Sequence, residues 1–203
     1  MLKEKIIKIL IGSNNNGKIK EIRDLLPKNI SVFSPKNFKI KSPVEKGKSF
    51  KENSIIKAKY FSKKTGMICI SDDSGLEIDL LNKEPGIFSA RWAGSKNNFN
   101  IAIKKVYKKL YDKDKNWKNK KVLARFVCCL TIYWPKGKII NSIGIIKGTI
   151  SNKNGKFSMD RILTGEKLLK INYLGYQKKE VKFKITKKNL DIKIKDIELS
   201  IAS

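Results

Sequence analysis

Apolar and polar positions along the chain predict strands and helices in turn. The short apolar runs "KIIKILIGS", "ISVFSP" and "MICIS" are typical of buried strands. Between and after them, "NNNGKIKEIRDLLP", "SFKENSIIKAKYFSKKTG" and "NNFNIAIKKVYKKLYDK" space their apolar residues as helices do. Two longer runs, "KVLARFVCCLTIYW" and "KIINSIGIIKGTI", predict a pair of partner strands. The order β-α-β-α-β-α-β-β predicts an α/β or α+β domain.

The second predicted helix combines an apolar side with polar residues. Its apolar side consists of Phe50, Ile55, Ile56, Ala58 and Phe61. Gly66 is expected to end the helix. Within Glu52, Asn53, Ile56 and Lys57, a carboxylate and an amine lie on neighbouring turns, either as part of a site or as a solvated surface arrangement.

The character of the sequence changes near residue 148. Residues 148–203 alternate short strand-like runs with glycine turns and show no helical spacing. Tyr173 and Tyr176 are expected at cross-strand positions. We therefore predict a first domain at 1–147 and an all-β tail at 148–203.

The composition is strongly basic, with 46 Lys and Arg against 18 Asp and Glu, a net charge of +28. Nucleic-acid readers favour Arg for its planar, bidentate fork. Here the arginines are Arg23, Arg91, Arg125 and Arg161, and all other basic residues are Lys spread along the chain. Together with abundant Asn and Ile, this favours the coding bias of an AT-rich genome over a specific nucleic-acid partner. The positive field should still attract nucleoside triphosphates.

Several kinds of chemistry are excluded or restricted by residue content. The chain has no His, which removes His-based acid–base catalysis and His-ligated metal sites. Cys69, Cys128 and Cys129 have no CxxC spacing and are expected to be reduced core residues. A metal would need oxygen ligands, which favours Mg²⁺ or Mn²⁺. With no signal peptide and no transmembrane span expected, a soluble, cytoplasmic protein without membrane contact is predicted.

The stretch "SNNNGK", Ser13 to Lys18, lies between the first strand and the first helix. A polar turn at a helix N-terminus presents backbone N–H groups to an anion, and the helix dipole adds to the attraction. Lys18 would supply a mobile charge and Asn15 a polar contact. The stretch does not have the GxxxxGK[ST] pattern of a Walker A loop. The alternative is an ordinary capped turn.

Two adjacent carboxylates, Asp72 and Asp73, follow the strand "MICIS". Neighbouring side chains on an extended backbone point in opposite directions, so one Asp can face a cleft while the other braces the turn. A cleft aspartate can bind Mg²⁺ or activate water. The alternative is an Asx-turn before Ser74. Arg91 follows a Pro-Gly turn, where it is either a site residue or a surface charge.

In this order and spacing, the motifs resemble the family of non-canonical purine NTP pyrophosphatases, also called inosine triphosphatases. The matching segments are "SNNNGK", "EKGKSFKENSIIKA", "DDSGLEIDLLNKEPGIFSARWAG" and "ARFVCC", within residues 7–147. The resemblance implies a mixed central sheet flanked by helices. It also implies hydrolysis of dITP, ITP and XTP to the monophosphate and pyrophosphate with Mg²⁺, Mn²⁺ being possible, in an enzyme that is usually a homodimer.

The resemblance also implies a role for each matching residue. The substrate would be bound by Ser13, Asn14, Asn15, Asn16, Gly17, Lys18, Lys57, Ser74 and Arg91. Asp73 would be the proton acceptor and a metal ligand, and Asp72 would brace the catalytic site. Glu45 and Glu52 would be further metal-site carboxylates.

The chain departs from the family pattern after residue 147. The family's G-F-G-Y-D-P and S-H-R segments, which build its base pocket, are not found. The tail is instead similar to the carboxypeptidase regulatory-like β-sandwich domain of Bacteroidetes surface proteins. Two accounts stay open: a fusion that lost base recognition, or a divergent tail that rebuilds part of the pocket. The alternative to an enzyme is an impaired nucleotide-binding remnant joined to a structural module.

Overall fold

The computed structural model describes residues 7–94, 98–150, 157–159, 165–171 and 179–185. Within these residues the predicted order of strands and helices is confirmed. The strands are β1 Ile7–Ile11, β2 Ile30–Phe33, β3 Ile68–Ile78, β4 Val122–Tyr133, β5 Ile139–Ile150, β6 Phe157–Met159, β7 Gly165–Ile171 and β8 Lys179–Ile185. The helices are α1 Asn16–Leu25, α2 Phe50–Thr65, α3 Ser89–Trp92 and α4 Phe99–Lys113. The predicted positions of Tyr173 and Tyr176 lie outside the described residues.

Six strands form one mixed sheet in the order β2-β1-β3-β4-β5-β6. β1 pairs in parallel with both β2 and β3, whereas β5 and β6 are antiparallel. This confirms the α/β class with a mixed central sheet. β7 and β8 form a separate antiparallel pair. The domain boundary predicted at 147/148 falls inside β5, and the rest of the predicted all-β tail stays a prediction.

The chain divides into two compact units, residues 1–74 with 127–144 and residues 75–126 with 145–203. The first unit has two apolar clusters. The buried members of these clusters are Ile9, Ile11, Ile19, Ile22 and Ile70 in one, and Leu10, Phe61 and Cys69 in the other. The core of the second unit is formed by Ile78, Leu81, Val106, Leu110, Trp117, Val122 and Ala124. Every predicted site residue except Arg91 belongs to the first unit.

Helix α2 begins and ends where the sequence predicts, but its buried side differs from the prediction. Ser49 caps its first turn, and Gly66 follows its last residue with a positive φ of 67°. The buried residues of α2 are Phe50, Asn53, Ser54, Lys57, Ala58, Phe61 and Ser62. Ile55 and Ile56, which the sequence predicts on the apolar side, are only half-buried. The buried face of the helix instead includes the polar residues Asn53, Ser54, Lys57 and Ser62, at the spacing of the helical repeat.

The three cysteines are free, with Cys69 and Cys129 buried and Cys128 half-buried. This confirms the prediction of reduced thiols. Across the described ranges, no helix is both long enough and apolar enough to span a bilayer.

Candidate active site

Both adjacent aspartates lie inside strand β3 rather than after it. β3 continues through Asp72 and Asp73 to Ile78, so the Asx-turn alternative was wrong. The parallel pairing of β1 with β3 ends at the pair Ile11 and Ile70. The aspartates therefore lie just beyond the carboxyl end of β1, the edge at which α/β folds place their sites. Both side chains are largely buried.

Asp72 faces the first helix. The Lys18 ammonium lies 2.6 Å from Asp72 Oδ2 and also donates to Ser74 Oγ over 2.9 Å. Ser74 Oγ donates in turn to the same Asp72 oxygen over 3.3 Å. Asp72 and Ser74 share one side of β3 because strand side chains alternate with a period of two. The three residues form a compact group to which one lysine supplies the positive charge.

Asp73 faces helix α2 on the other side of the strand. The Lys57 ammonium lies 3.4 Å from Asp73 Oδ1 and 2.8 Å from Glu45 Oε1. The Asn53 amide donates to the second carboxylate oxygen of Asp73 over 3.1 Å. Lys57 and Asn53 are both buried, so the solvated-surface alternative was wrong for Lys57, whereas Glu52 is exposed as that alternative predicted.

The electrostatics of this second group depend on burial. Burial raises the pKa of the Asp73 carboxyl, and Glu45 adds to that, while Lys57 and Asn53 act in the opposite direction. For Lys57, burial by itself lowers the pKa of the amine, but Asp73 and Glu45 outweigh it and hold the pKa above its usual value. Because Lys57 stays charged between Asp73 and Glu45, the space between these two carboxylates favours a positive ion.

The polar turn before α1 is organised by its own side chains. Asn15 caps the helix, because its Oδ1 accepts from the backbone N–H groups of Gly17 and Lys18 at 2.9 and 3.3 Å. Ser13 Oγ accepts from the backbone N–H of Asn15 over 3.1 Å. These contacts give the capped turn of the alternative interpretation, while anion binding by the turn stays a prediction.

The remaining two asparagines of the turn contact the segment after β2. Asn14 donates to Ser42 Oγ over 2.9 Å. Lys36 donates to Asn16 Oδ1 over 2.7 Å. Two side-chain hydrogen bonds therefore hold the turn against residues 36–42.

Two predicted site residues, Glu52 and Arg91, have exposed side chains. Glu52 is exposed, and its Oε2 accepts from the backbone N–H of Lys48 over 2.7 Å at the start of α2. Arg91 is exposed on α3, in the second compact unit, with its guanidinium 4.9 Å from the ring centre of Phe88. Their predicted roles in metal and substrate binding stay predictions.

Asn53 was missed as a site residue, although the sequence carried a signal for it. It lies four residues before Lys57 on α2, and residues at this spacing share a helix face. Once Lys57 is assigned to a site, the side chain at position 53 is expected on the same face of the helix. The full burial of Asn53, by contrast, could not be predicted, because asparagine is usually exposed.

The carboxylates of Glu45 and Asp73 fit a divalent cation. Their oxygens converge on one ammonium, at 2.8 and 3.4 Å from Lys57 Nζ, so the site already favours positive charge. Mg²⁺ is usually held by one or two carboxylates together with substrate phosphates and water. Among the residues that the structure describes, no group of three acidic, His or Cys side chains could hold a metal ion. Glu45 and Asp73 would therefore need ligands from the substrate.

Comparison with known proteins places these features in a family. A model of the Ham1 family matches residues 9–189. A dITP/XTP pyrophosphatase of Zymomonas mobilis is 39% identical over 144 residues, covering 70% of this chain and 68% of the relative. One of Flavobacterium psychrophilum is 36% identical over 164 residues, covering 79% and 83%.

Solved structures agree with the sequence matches. A HAM1 protein from Coxiella burnetii superimposes with a TM-score of 0.65 at 30% identity, covering 76% of this chain and 80% of that one. The Ham1 protein of Staphylococcus aureus gives a TM-score of 0.62 at 33% identity, covering 73% of each chain. The family match extends past residue 147, where the sequence resemblance was expected to end. The chain therefore belongs to the Ham1 family, whose curated relatives named here are dITP/XTP pyrophosphatases.

Proposed function

We propose that this chain hydrolyses non-canonical purine nucleoside triphosphates, dITP, ITP and XTP, to the monophosphate and pyrophosphate, and so cleanses the nucleotide pool. The observation that carries the proposal is the convergence of Glu45 and Asp73 on Lys57. This group of side chains lies at the carboxyl edge of the sheet. Relatives of the chain in the same family are named for this reaction.

In this proposal, the chain's own residues bind the phosphates and move the proton. Lys18 and Lys57 supply positive charge for the triphosphate, and the turn from Ser13 to Lys18 positions it. Asp73 accepts the proton of the water that attacks the α-phosphorus. Its raised pKa, caused first by burial, makes it a better base than an exposed aspartate. Asp72 holds Lys18 in place beside Ser74.

Glu45 and Asp73 would hold Mg²⁺, with Mn²⁺ as an alternative. A bound divalent ion would neutralise phosphate charge and favour attack at phosphorus. Three free cysteines suit the reducing cytoplasm, which is where we propose that the enzyme acts. A homodimer stays a prediction from the family resemblance.

Base selectivity is expected to be weak in this chain. The G-F-G-Y-D-P and S-H-R motifs that build the family's base pocket are not found in that form, whereas the residues predicted to bind phosphate are present. Discrimination among bases rests on paired polar contacts with the base itself. We therefore propose that this chain hydrolyses both dITP and dATP, and that the ratio of the two efficiencies is smaller than in an enzyme with an intact base pocket.

The test is pyrophosphate release from dITP, XTP and dATP with Mg²⁺ and with EDTA. We expect metal-dependent release that disappears in Asp73→Asn. Asp79→Asn is a matched control, because Asp79 is an exposed aspartate paired with Lys83 on the surface, and it should keep wild-type activity. No release from folded protein would refute the proposal and favour the impaired remnant. A preference for dITP over dATP above about 100-fold would refute the loss of selectivity.

A further inference from the structure

Within the described residues, Asn53 is the one fully buried polar side chain that contacts Asp73, and the proposed chemistry gives it no role. It lies in the first turns of α2 and joins two parts of the candidate site. Its Nδ2 donates to Asp73 Oδ2 over 3.1 Å, and its Oδ1 accepts from the Gly47 backbone N–H over 2.8 Å.

The orientation of the Asn53 amide is fixed by chemistry. A backbone N–H can only donate, so the group facing Gly47 must be the Asn53 oxygen. The amide nitrogen must then face Asp73, whose carboxylate oxygen can accept. With both ends of the amide bonded, Asn53 gives one carboxylate oxygen of Asp73 a permanent donor. The other carboxylate oxygen of Asp73, Oδ1, faces the Lys57 ammonium.

Gly47 packs too closely against Asn53 to carry a side chain. A Cβ at position 47 would lie 2.6 Å from Asn53 Oδ1 and 2.7 Å from Glu52 Cβ. Glu45, two residues earlier on the same segment, is one of the two carboxylates that contact Lys57. The contact between Gly47 and Asn53 therefore also fixes the segment that carries Glu45.

These contacts close a ring from Asp73 through Asn53, Gly47, Glu45 and Lys57 back to Asp73. We propose that Asn53 is a positioning residue that sets both carboxylates of the cation site. One end of its amide orients Asp73, and the other end holds the Glu45 segment. The inference rests on the proposed function only for its kinetic consequence.

Two substitutions separate the two ends of the amide. Asn53→Asp keeps an acceptor for the Gly47 N–H but cannot donate to Asp73 when it is ionised, and its charge repels that carboxylate. Asn53→Ala removes both contacts. Ser54→Ala is the matched control, because Ser54 is the next residue, is equally buried, and bonds to Thr131 and to the Lys51 carbonyl instead.

The first readout is hydrogen exchange at the Gly47 amide, followed by NMR without metal or substrate. We expect protection in the wild type, in Asn53→Asp and in Ser54→Ala, and exchange at least about tenfold faster in Asn53→Ala. Unchanged protection in Asn53→Ala would overturn the role of Asn53 in holding the Glu45 segment. This measurement needs no turnover, so it decides that role even if the proposed function fails.

The second readout is the kinetics of dITP hydrolysis per folded molecule, with the folded fraction taken from unfolding curves. We expect kcat to fall about 10- to 100-fold in both Asn53 variants, the range for a hydrogen bond to a charged group. The half-saturating Mg²⁺ concentration should rise severalfold in Asn53→Ala, a shift that partial unfolding alone would not cause. Ser54→Ala should stay within about threefold of wild type on both measures.

Wild-type kcat and Mg²⁺ dependence in the Asn53 variants would overturn the orienting role toward Asp73. A folded wild type without turnover would refute the proposed function itself. In that case calorimetric Mg²⁺ titration of the wild type, Asn53→Ala and Ser54→Ala replaces the kinetics. Weaker Mg²⁺ binding in Asn53→Ala alone would support the positioning role, and equal binding in all three would overturn it.

Discussion

The two faces of strand β3 give adjacent, chemically identical residues different surroundings. On one face, Asp72 meets Lys18 and Ser74, both of which are partly exposed. On the other, Asp73 meets Lys57 and Asn53, both of which are buried. Strand alternation separates the two carboxylates, and helix α2 supplies only the second one with a buried amine and amide. The side chains around Asp73 are therefore held in place by burial, as a catalytic group requires. The side chains around Asp72 are partly exposed, and their proposed task is to position Lys18.

The largest expected effect is on turnover when each aspartate is replaced by Asn. Asp73→Asn should lower kcat by about 1,000-fold or more, because it removes both the proposed base and a carboxylate of the cation site. Asp72→Asn should lower kcat by only about 10-fold, because the amide oxygen can still accept from Lys18. Steady-state kinetics with dITP and saturating Mg²⁺ measure both. Equal losses, or a larger loss in Asp72→Asn, would contradict the division of roles.

The next effect is on stability when the lysine of each face is replaced by Met. Lys57→Met leaves Glu45 and Asp73 without the amine that they share and should lower the free energy of unfolding by about 3 kcal/mol. Lys18→Met should cost less, about 2 kcal/mol, because Lys18 is partly exposed although the Asp72 carboxylate that it leaves behind is buried. Urea unfolding in EDTA measures both values.

A control with metal sharpens the Lys57 result. Added Mg²⁺ should stabilise Lys57→Met more than the wild type, because the two carboxylates then lack a competing ammonium. The same addition should change Lys18→Met no more than the wild type. Equal stabilisation of all three proteins would show that Glu45 and Asp73 do not bind the ion together.

Much of the fold could be predicted because hydrophobic periodicity reports burial directly. The predicted strands and helices of the first 150 residues appear in order, and Gly66 ends α2 as expected. The extension of β3 through Asp72 to Ile78 could not be predicted. Asp, Ser and Gly are poor strand formers, and tertiary pairing decides in such a case.

The site was predictable in part. Strand alternation correctly indicated that Asp72 and Asp73 would face opposite ways. The burial of Asn53 and Lys57 was not predictable from pattern, because polar residues on a helix usually face water. The family resemblance pointed to Lys57, but only the structure shows which carboxylates it joins.

The smallest expected effect is a difference in reactivity between two thiols. By strand alternation Cys69 shares the Asp73 side of β3, whereas Cys128 lies on β4 and feels the charge of Asp72. Cys69 lies on β3 two residues before Ser71, to which it is hydrogen-bonded, and burial raises its pKa to about 12. Burial also raises the pKa of Cys128, to about 11, and the charge of Asp72 adds to this. Since thiolates are the reactive form, both thiols should be alkylated slowly at pH 8, with Cys128 the faster.

Iodoacetamide labelling followed by mass spectrometry tests this order. The rate at Cys128 should rise about tenfold per pH unit between pH 7 and 10, because the thiolate fraction does so below the pKa. Asp72→Asn should speed labelling of Cys128 by about threefold, since it removes one charge that raises the thiol pKa, and should leave Cys69 unchanged. Cys69 reacting as fast as Cys128 in the native protein would show that the Asp73 face is open to solvent. The contrast between a buried chemical face and an accessible supporting face would then fail.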